Sequence, residues 1–462
     1  MTNRSDLSFS NLDLPPAQLD NLKNLGYEQM TEIQAQALPL ILAGRDIIAQ
    51  AKTGSGKTAA FALPLLNKIN QRDFGTQGLI LCPTRELSTQ VAAEVRKLAR
   101  FKDNLKVVIL CGGQPLGPQI GSLEHGAHIV VGTPGRIEDH LSKKTLHLGR
   151  VDTLVLDEAD RMLDMGFIDA IENIISHTSK QRQSLLFSAT YPTNIAKLSA
   201  KFQKYPVTVK AETLHNETAI NQQFYICDQA QKKAAAATLL KTYRPNSAVV
   251  FCNTKQMVKE LCSFLNDQGI SSKALHGDLE QRDRDQVLIQ FKQQSFCVLV
   301  ATDVAARGLD IADLAAVINM ELPRDPEIYV HRIGRTGRAG KEGLALSIFS
   351  DNEHFKFDDI ANYQNQELDF QPIETLVIDD HSPLIAPNVS LCIAGGRKQK
   401  LRPGDILGAL TNSTGIEGKT IGKIDILEYV AYVAVARKVS SKAVEQLNNG
   451  KIKGRKFKVR KV

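Results

Sequence analysis

Short unbroken apolar runs alternate with helix-compatible stretches along most of this 462-residue chain. LeuIleLeuCys (79–82), ValValIleLeu (107–110), IleValVal (129–131), LeuValLeu (154–156) and LeuLeuPhe (185–187) form a first series. After about Pro206 the series restarts with AlaValValPhe (248–251), ValLeuValAla (298–301), AlaValIleAsn (316–319) and LeuAlaLeuSerIle (344–348). Helices are predicted between them, among others over 86–100 and 255–267. A strand that is apolar at every position has both faces covered, as in a parallel sheet flanked by helices. The pattern therefore predicts an α/β chain with two parallel-sheet domains in tandem, over 1–206 and 207–370. An acidic stretch then leads toward HisSerProLeuIleAlaPro (381–387), and a linker is placed at 371–383. From 384 to 462 the pattern changes to strand 389–393, helix 403–411, strands 421–426 and 429–435, helix 441–448 and a basic final run. That β-α-β-β-α-β order predicts a small α+β domain.

Composition narrows the class without naming a function. With 43% hydrophobic and 23% charged residues the chain is an ordinary soluble one. No apolar run approaches the roughly 20 residues needed to span a bilayer, so no membrane partner and a cytoplasmic location are expected. The seven cysteines have no CxxC pair and sit mostly inside apolar runs, which fits buried reduced thiols. Charge is more telling. Residues 384–462 hold 16 Lys and Arg against 5 Asp and Glu, a net +11, so the rest of the +7 chain carries −4. A polyanion partner is therefore expected at the C-terminal domain.

AlaLysThrGlySerGlyLysThr, from Ala51 through Lys52, Thr53, Gly54, Ser55, Gly56 and Lys57 to Thr58, lies where an apolar run (46–50) gives way to a helix-compatible segment (58–69). That is the context of a phosphate-binding loop, with backbone N–H groups on the phosphates, Lys57 on the terminal ones and the Thr58 hydroxyl on Mg²⁺. A surface turn of similar composition is the alternative. At the end of another strand, Asp157 and Glu158 could anchor Mg²⁺ and activate a water, or could cap the next helix.

Asp157 to Asp160 spells AspGluAlaAsp, and over roughly 9–350 the chain resembles the DEAD-box ATP-dependent RNA helicases. The resemblance implies two tandem RecA-like domains, with ATP and Mg²⁺ as cofactors. GlyTyrGluGlnMetThrGluIleGln (26–34) is similar to the family's adenine-recognising segment, which gives Gln34 the adenine edge and Tyr27 a stacking role. Pro83, Thr84 and Arg85, Gly113 in the Gly112–Gly113 pair, and Thr133, Pro134, Gly135 and Arg136 resemble its first-domain RNA contacts. SerAlaThr (188–190) resembles the element that couples hydrolysis to strand separation. In the second domain Gln281, Arg284, Thr302 and Asp303 are expected on or beside the RNA backbone. Asp310 would contact nucleotide, His331 would sense the γ-phosphate, and Arg335 and Arg338 would be arginine fingers. Catalysis is thereby assigned to Lys57, Glu158, Arg335 and Arg338, split between domains that ATP and RNA must bring together. Sugar and phosphate contacts leave such a core indifferent to sequence.

The C-terminal pattern resembles an RNA-recognition-motif fold. Of the aromatics such folds use to stack bases, Tyr432 aligns, with Tyr429 nearby and Ser390 where an aromatic would help. Arg397, Lys398, Lys400, Lys451, Lys453, Arg455 and Lys456 are the further candidate RNA contacts, a solvated basic face being the alternative. Core and tail together resemble bacterial helicases directed to a hairpin of 23S rRNA, which implies a role in late assembly of the large ribosomal subunit by a monomer. An RNA-dependent ATPase clamp that remodels without unwinding, and a binding module with a vestigial nucleotide site, are the alternatives.

Overall fold

The computed structural model describes residues 7–51, 54–190, 193–211, 220–306, 314–337, 342–378, 380–411 and 416–462. The chain divides into two compact units near residue 214. In the first, seven parallel strands lie in the order Val107–Leu110, Ile129–Gly132, Gly78–Leu81, Thr153–Asp157, Gln183–Ser188, Ile47–Gln50, Val207–Lys210. A second parallel sheet has the order Ser272–Leu275, Val298–Ala301, Ala248–Phe251, Ala316–Asn319, Gly343–Phe349, Ile220–Ile226, Phe370–Pro372. Counted from the first strand of each sheet, the spatial order is the same, so the second domain repeats the topology of the first. Local detail repeats too. Cys82–Pro83–Thr84 follows one strand, and Thr84 Oγ1 accepts from Leu87 N (3.2 Å) to start the helix Arg85–Leu98. Cys252–Asn253–Thr254 follows its counterpart, and Thr254 Oγ1 accepts from Met257 N (3.1 Å) to start Lys255–Asp267.

The inner strands are apolar because both faces are covered. Leu79, Ile80, Leu81, Leu154, Val155 and Leu156 are completely buried, and each such side chain contributes about 1.5–3 kcal/mol by leaving water. The edge strands Val207–Lys210 and Phe370–Pro372 carry no such run. Val207–Lys210 pairs with Ile47–Gln50, so the border expected at 206 falls one strand too early. The segment 371–383 is not a free tether either. Phe370–Pro372 pairs with Phe224–Ile226 at the edge of the second sheet, and Ile373 is buried. Arg244 Nη1 donates to Asp380 O (3.2 Å) and Ser382 O (3.0 Å), and Leu384 bonds Gly269 O and Ser271 N.

The C-terminal domain has the expected β-α-β-β-α-β order, with antiparallel strands arranged Ile421–Ile426, Ala431–Ala436, Asn388–Ile393, Val459–Lys461 and helices Pro403–Thr411 and Ser440–Asn449. Leu391, Ile393, Val433 and Val435 pack with Ile406, Leu410, Ala443 and Leu447 in its core. Other sheet residues meet the second parallel-sheet domain. Ser390, fully buried, donates to Gln293 Oε1 (2.6 Å), and its hydroxyl lies 2.6 Å from Ser295 Oγ. Gln293 Nε2 donates to Asp425 Oδ2 (2.9 Å), and Asn388 Nδ2 to Gln293 O (3.1 Å). Tyr432 is 2% exposed, its hydroxyl 3.4 Å from Gln286 Oε1 on the helix Gln281–Lys292. Burial pushes that hydroxyl up to about 12. The base-stacking role expected of Tyr432 is thus corrected: its ring serves the contact between domains. Among the described residues no helix is long and apolar enough to cross a membrane.

Candidate nucleotide and RNA sites

The phosphate-loop motif leaves the strand Ile47–Gln50 and opens the helix Lys57–Lys68. Gly54 and Gly56 take φ of 87° and 90°, a region that costs glycine little. A Cβ on Gly56 would come within 2.4 Å of Gln34 Nε2. Lys57 is buried and turns back to donate to Ala51 O at 2.9 Å; Thr58, next on the helix, is half-buried. Lys52 and Thr53 lie outside the described residues, as do Asp310 and Arg338.

Gln34 is engaged by the protein at both ends of its amide. Its Oε1 accepts from Thr31 N (2.9 Å) and its Nε2 donates to Gly56 O (3.0 Å), while Thr31 Oγ1 donates to Ser55 O (2.7 Å). Helix start and phosphate loop are thereby laced together, and reading an adenine edge with Gln34 requires exchanging those bonds. Tyr27 is likewise engaged. Its hydroxyl donates to Glu94, Lys97 Nζ lies 5.4 Å from its ring centroid, and Phe9 meets it edge-on.

Asp157 ends the strand Thr153–Asp157 at 3% exposure. Burial pushes its carboxyl up to about 7, against the pull of Lys57. Its Oδ1, like Ser55 Oγ, is buried without a hydrogen-bond partner, a cost that a bound group would relieve. Glu158 takes a left-handed conformation (φ 53°, ψ 53°), and its Oε2 accepts from Arg161 Nη1 at 3.0 Å. Asp160 is a residue to which the sequence assigned no role. Its Oδ2 accepts from Ala189 N (3.0 Å), Thr190 N (3.1 Å) and Thr190 Oγ1 (3.2 Å), and its own N–H donates to Ser188 Oγ (3.3 Å). The last acid of the motif therefore grips the SerAlaThr loop directly.

The first-domain RNA candidates occupy the other half of the same sheet end. Residues 83–85, 112–113 and 133–136 follow the neighbouring strands Gly78–Leu81, Val107–Leu110 and Ile129–Gly132. Thr84 and Thr133 stand at helix starts, the latter before Pro134, Gly135 and Arg136. Arg85 lies over Gly113, where an added Cβ would come within 2.1 Å of its Nη1. Arg136 Nη1 donates to Gln114 O (3.0 Å).

In the second domain Arg284 Nη2 donates to Ala305 O (3.3 Å), and Thr302 Oγ1 accepts from Ala305 N (3.4 Å). Arg284 and Thr302 thus meet at one turn, while Gln281 bonds Asp285 (2.7 Å). Asp303, next to Thr302, is held by an arginine. Arg332, 2% exposed, donates to both of its oxygens at 2.7 Å and also reaches Asn319, Asn253 and Glu321 O. Sequence reasoning missed Arg332, because only the fold brings its five acceptors together. Arg332→Ala is expected to destabilise the protein by about 3–5 kcal/mol, since it breaks the ion pair with Asp303 and takes the donor from Asn319, Asn253 and Glu321 O, as chemical denaturation would measure. His331 Nε2 lies 3.7 Å from Glu327, and Arg335 follows that helix, Pro326–Ile333.

In the C-terminal domain Arg397, Lys398, Lys400, Lys451, Lys453, Arg455 and Lys456 are all exposed. Lys453 Nζ donates to Lys400 O (2.8 Å), which joins the 397–400 turn to the 451–456 turn. Lys398 pairs with Glu428 at 3.3 Å.

A phosphate loop and strand-end carboxylates on one parallel sheet, followed by a second sheet of the same order, define a tandem-domain P-loop ATPase. Family models match in chain order: DEAD/DEAH box helicase over 31–198, Helicase conserved C-terminal domain over 231–340, and DbpA RNA binding domain over 390–461. The chain is 52% identical to the ATP-dependent RNA helicase DbpA of Escherichia coli K12, over 98% of this chain and 99% of that one. It is 44% identical to the DEAD-box ATP-dependent RNA helicase CshA of Bacillus subtilis 168, over 80% and 75%. Among solved structures it resembles S. cerevisiae Dbp5 bound to RNA and ADP BeF3, with TM-score 0.71 and 31% identity over 79% of this chain and 96% of that one. The chain belongs to the DEAD-box ATP-dependent RNA helicases, as a DbpA-like member whose second parallel-sheet domain carries a docked RNA-binding domain.

Proposed function

We propose that this helicase acts on a hairpin of 23S rRNA in the large-subunit precursor during late ribosome assembly, as a cytoplasmic monomer that separates short duplexes beside that hairpin. The supporting observation is the basic surface where the 397–400 and 451–456 turns meet, on a domain fixed to the helicase core and matching the DbpA RNA binding domain. Phosphates held there would set where the core works. The test is RNA-stimulated ATPase and strand displacement with a duplex adjoining the 23S hairpin and with the same duplex beside a scrambled hairpin. Preference for the first supports the assignment; equal rates would overturn it. Stimulated ATPase without displacement would favour the clamp.

The proposed chemistry uses this chain's own groups. The loop 51–56 receives the ATP phosphates and Lys57 leaves Ala51 O to meet the terminal ones. Glu158 takes a proton from the attacking water, while Arg335 and Arg338 offset charge on the γ-phosphate. Asp160 would pass the state of Glu158 to the SerAlaThr loop. Tyr27, Gln34 and Asp310 would hold the nucleoside, and residues 83–85, 113, 133–136, 281, 284 and 302 the RNA backbone. Asp303 would position that turn through Arg332 without touching phosphate.

The residues fit Mg²⁺, since Asp157 presents an unpartnered carboxylate oxygen and Thr58 adds a hydroxyl; bound there, Mg²⁺ would neutralise phosphate charge. Asp157 must lose its proton to serve. With a carboxyl near 7, affinity for magnesium nucleotide is expected to rise about tenfold from pH 6 to pH 8. Asp157→Asn should bind weakly and without that dependence, as nucleotide titrations across this range would measure.

A further inference from the structure

The contact between the C-terminal domain and the helix Gln281–Lys292 leaves a cleft of about 470 Å³ at its margin. Ile289 supplies one wall from the helix; Leu401, Ile424 and Ile426 supply apolar surface from the small domain, with Arg397 and Arg402 beside them. Both arginines are exposed, whereas Ile289, Ile424 and Ile426 are half-buried and Leu401 is buried. An apolar slot rimmed by guanidiniums suits a flat apolar ring on a phosphate chain.

Its place in the fold adds to this. The helix that contributes Ile289 begins with Gln281 and also carries Arg284, both assigned to the RNA backbone, about 12 Å and about 7.5 Å away along the helix axis. On the other side Arg397 belongs to the turn that Lys400 and Lys453 join to the basic surface. The cleft therefore lies between two stretches of RNA-directed surface on one body. Tyr432, the stacking aromatic this type of fold would offer, is covered. Asp425 also lines the cleft, with Oδ2 accepting from Gln293 and Oδ1 3.4 Å from Lys423. A carboxylate only accepts, which suits the amino edge of adenine, cytosine or guanine better than uracil.

We propose that this cleft binds one unpaired, amino-bearing nucleobase of an RNA strand passing between the helicase core and the basic surface, with Arg397 and Arg402 on its flanking phosphates. The inference rests on the RNA-binding reading of both surfaces and adds a site that neither supplies. It is tested with the full chain and a 23S-type hairpin carrying a short single-stranded extension, with 2-aminopurine placed at one extension position at a time. One position should change fluorescence on binding, and the extension should tighten binding about tenfold. Ile289→Glu should abolish both effects while leaving affinity for the bare hairpin unchanged. Arg402→Ala, at an exposed position that cannot disturb the core, should reduce the gain from the extension several-fold. The proposal is overturned if no position responds, or if both variants keep the full gain. Because the readout is binding, loss of hairpin preference or of RNA-stimulated ATPase would count against the proposed function alone.

Discussion

Glu158→Gln is expected to bind ATP about as tightly as the parent and to hydrolyse it roughly 10²–10⁴-fold more slowly, the usual contribution of a positioned general base. The carboxylate sits at the carboxyl end of a central strand, on a residue whose left-handed backbone costs on the order of 1–3 kcal/mol. That conformation persists because its surroundings hold it: Met162 N donates to Glu158 O (3.2 Å) and Arg161 Nη1 to Oε2 (3.0 Å). Glutamine keeps the volume and can still accept from Arg161 through its carbonyl, so the local geometry should survive. What disappears is a group able to take a proton. Asp157→Asn should behave oppositely, losing nucleotide affinity first. Fluorescent-nucleotide titration with single-turnover hydrolysis separates the two, and undiminished hydrolysis in Glu158→Gln would place the base elsewhere.

How much of this was legible in the sequence depended on whether a signal is local. The runs 107–110, 248–251, 298–301 and 316–319 are strands with those bounds, because a strand covered on both faces must be apolar throughout. Ile220–Ile226, with Asn221, Gln222 and Gln223 in its middle, gave no such run, nor did the edge strands Val207–Lys210 and Phe370–Pro372. The phosphate loop and the Asp157–Glu158 pair were readable because their chemistry is confined to a few adjacent residues. Relations across the chain were not. Gln34 is spent on Gly56, Asp303 on Arg332, and Tyr432 on the helix Gln281–Lys292, and none of these pairings leaves a mark near either partner. The same holds for the segment 371–383, whose composition reads as linker while Arg244 pins its end.

That packing decides how the targeting role should be tested. Removing 384–462 would strip the partners from Gln293 and Ser295 and uncover the helix Gln281–Lys292, so a truncated chain would lose RNA and stability together. Lys451, Arg455 and Lys456 are exposed, and none is a partner in the Ser390 and Tyr432 bonds to the core. Their joint replacement by alanine should leave folding intact. If each neutralises one phosphate, the triple variant should bind the 23S hairpin about 10- to 100-fold more weakly at physiological salt. The slope of log affinity against log salt should also become shallower by about two to three. ATPase stimulated by an RNA without the hairpin should stay within about twofold of the parent, because the contacts to sugar and phosphate proposed for the core involve other residues. A variant that keeps both hairpin affinity and the parental salt slope would reduce these three side chains to solvated charge, and targeting would have to be sought on another face of the domain.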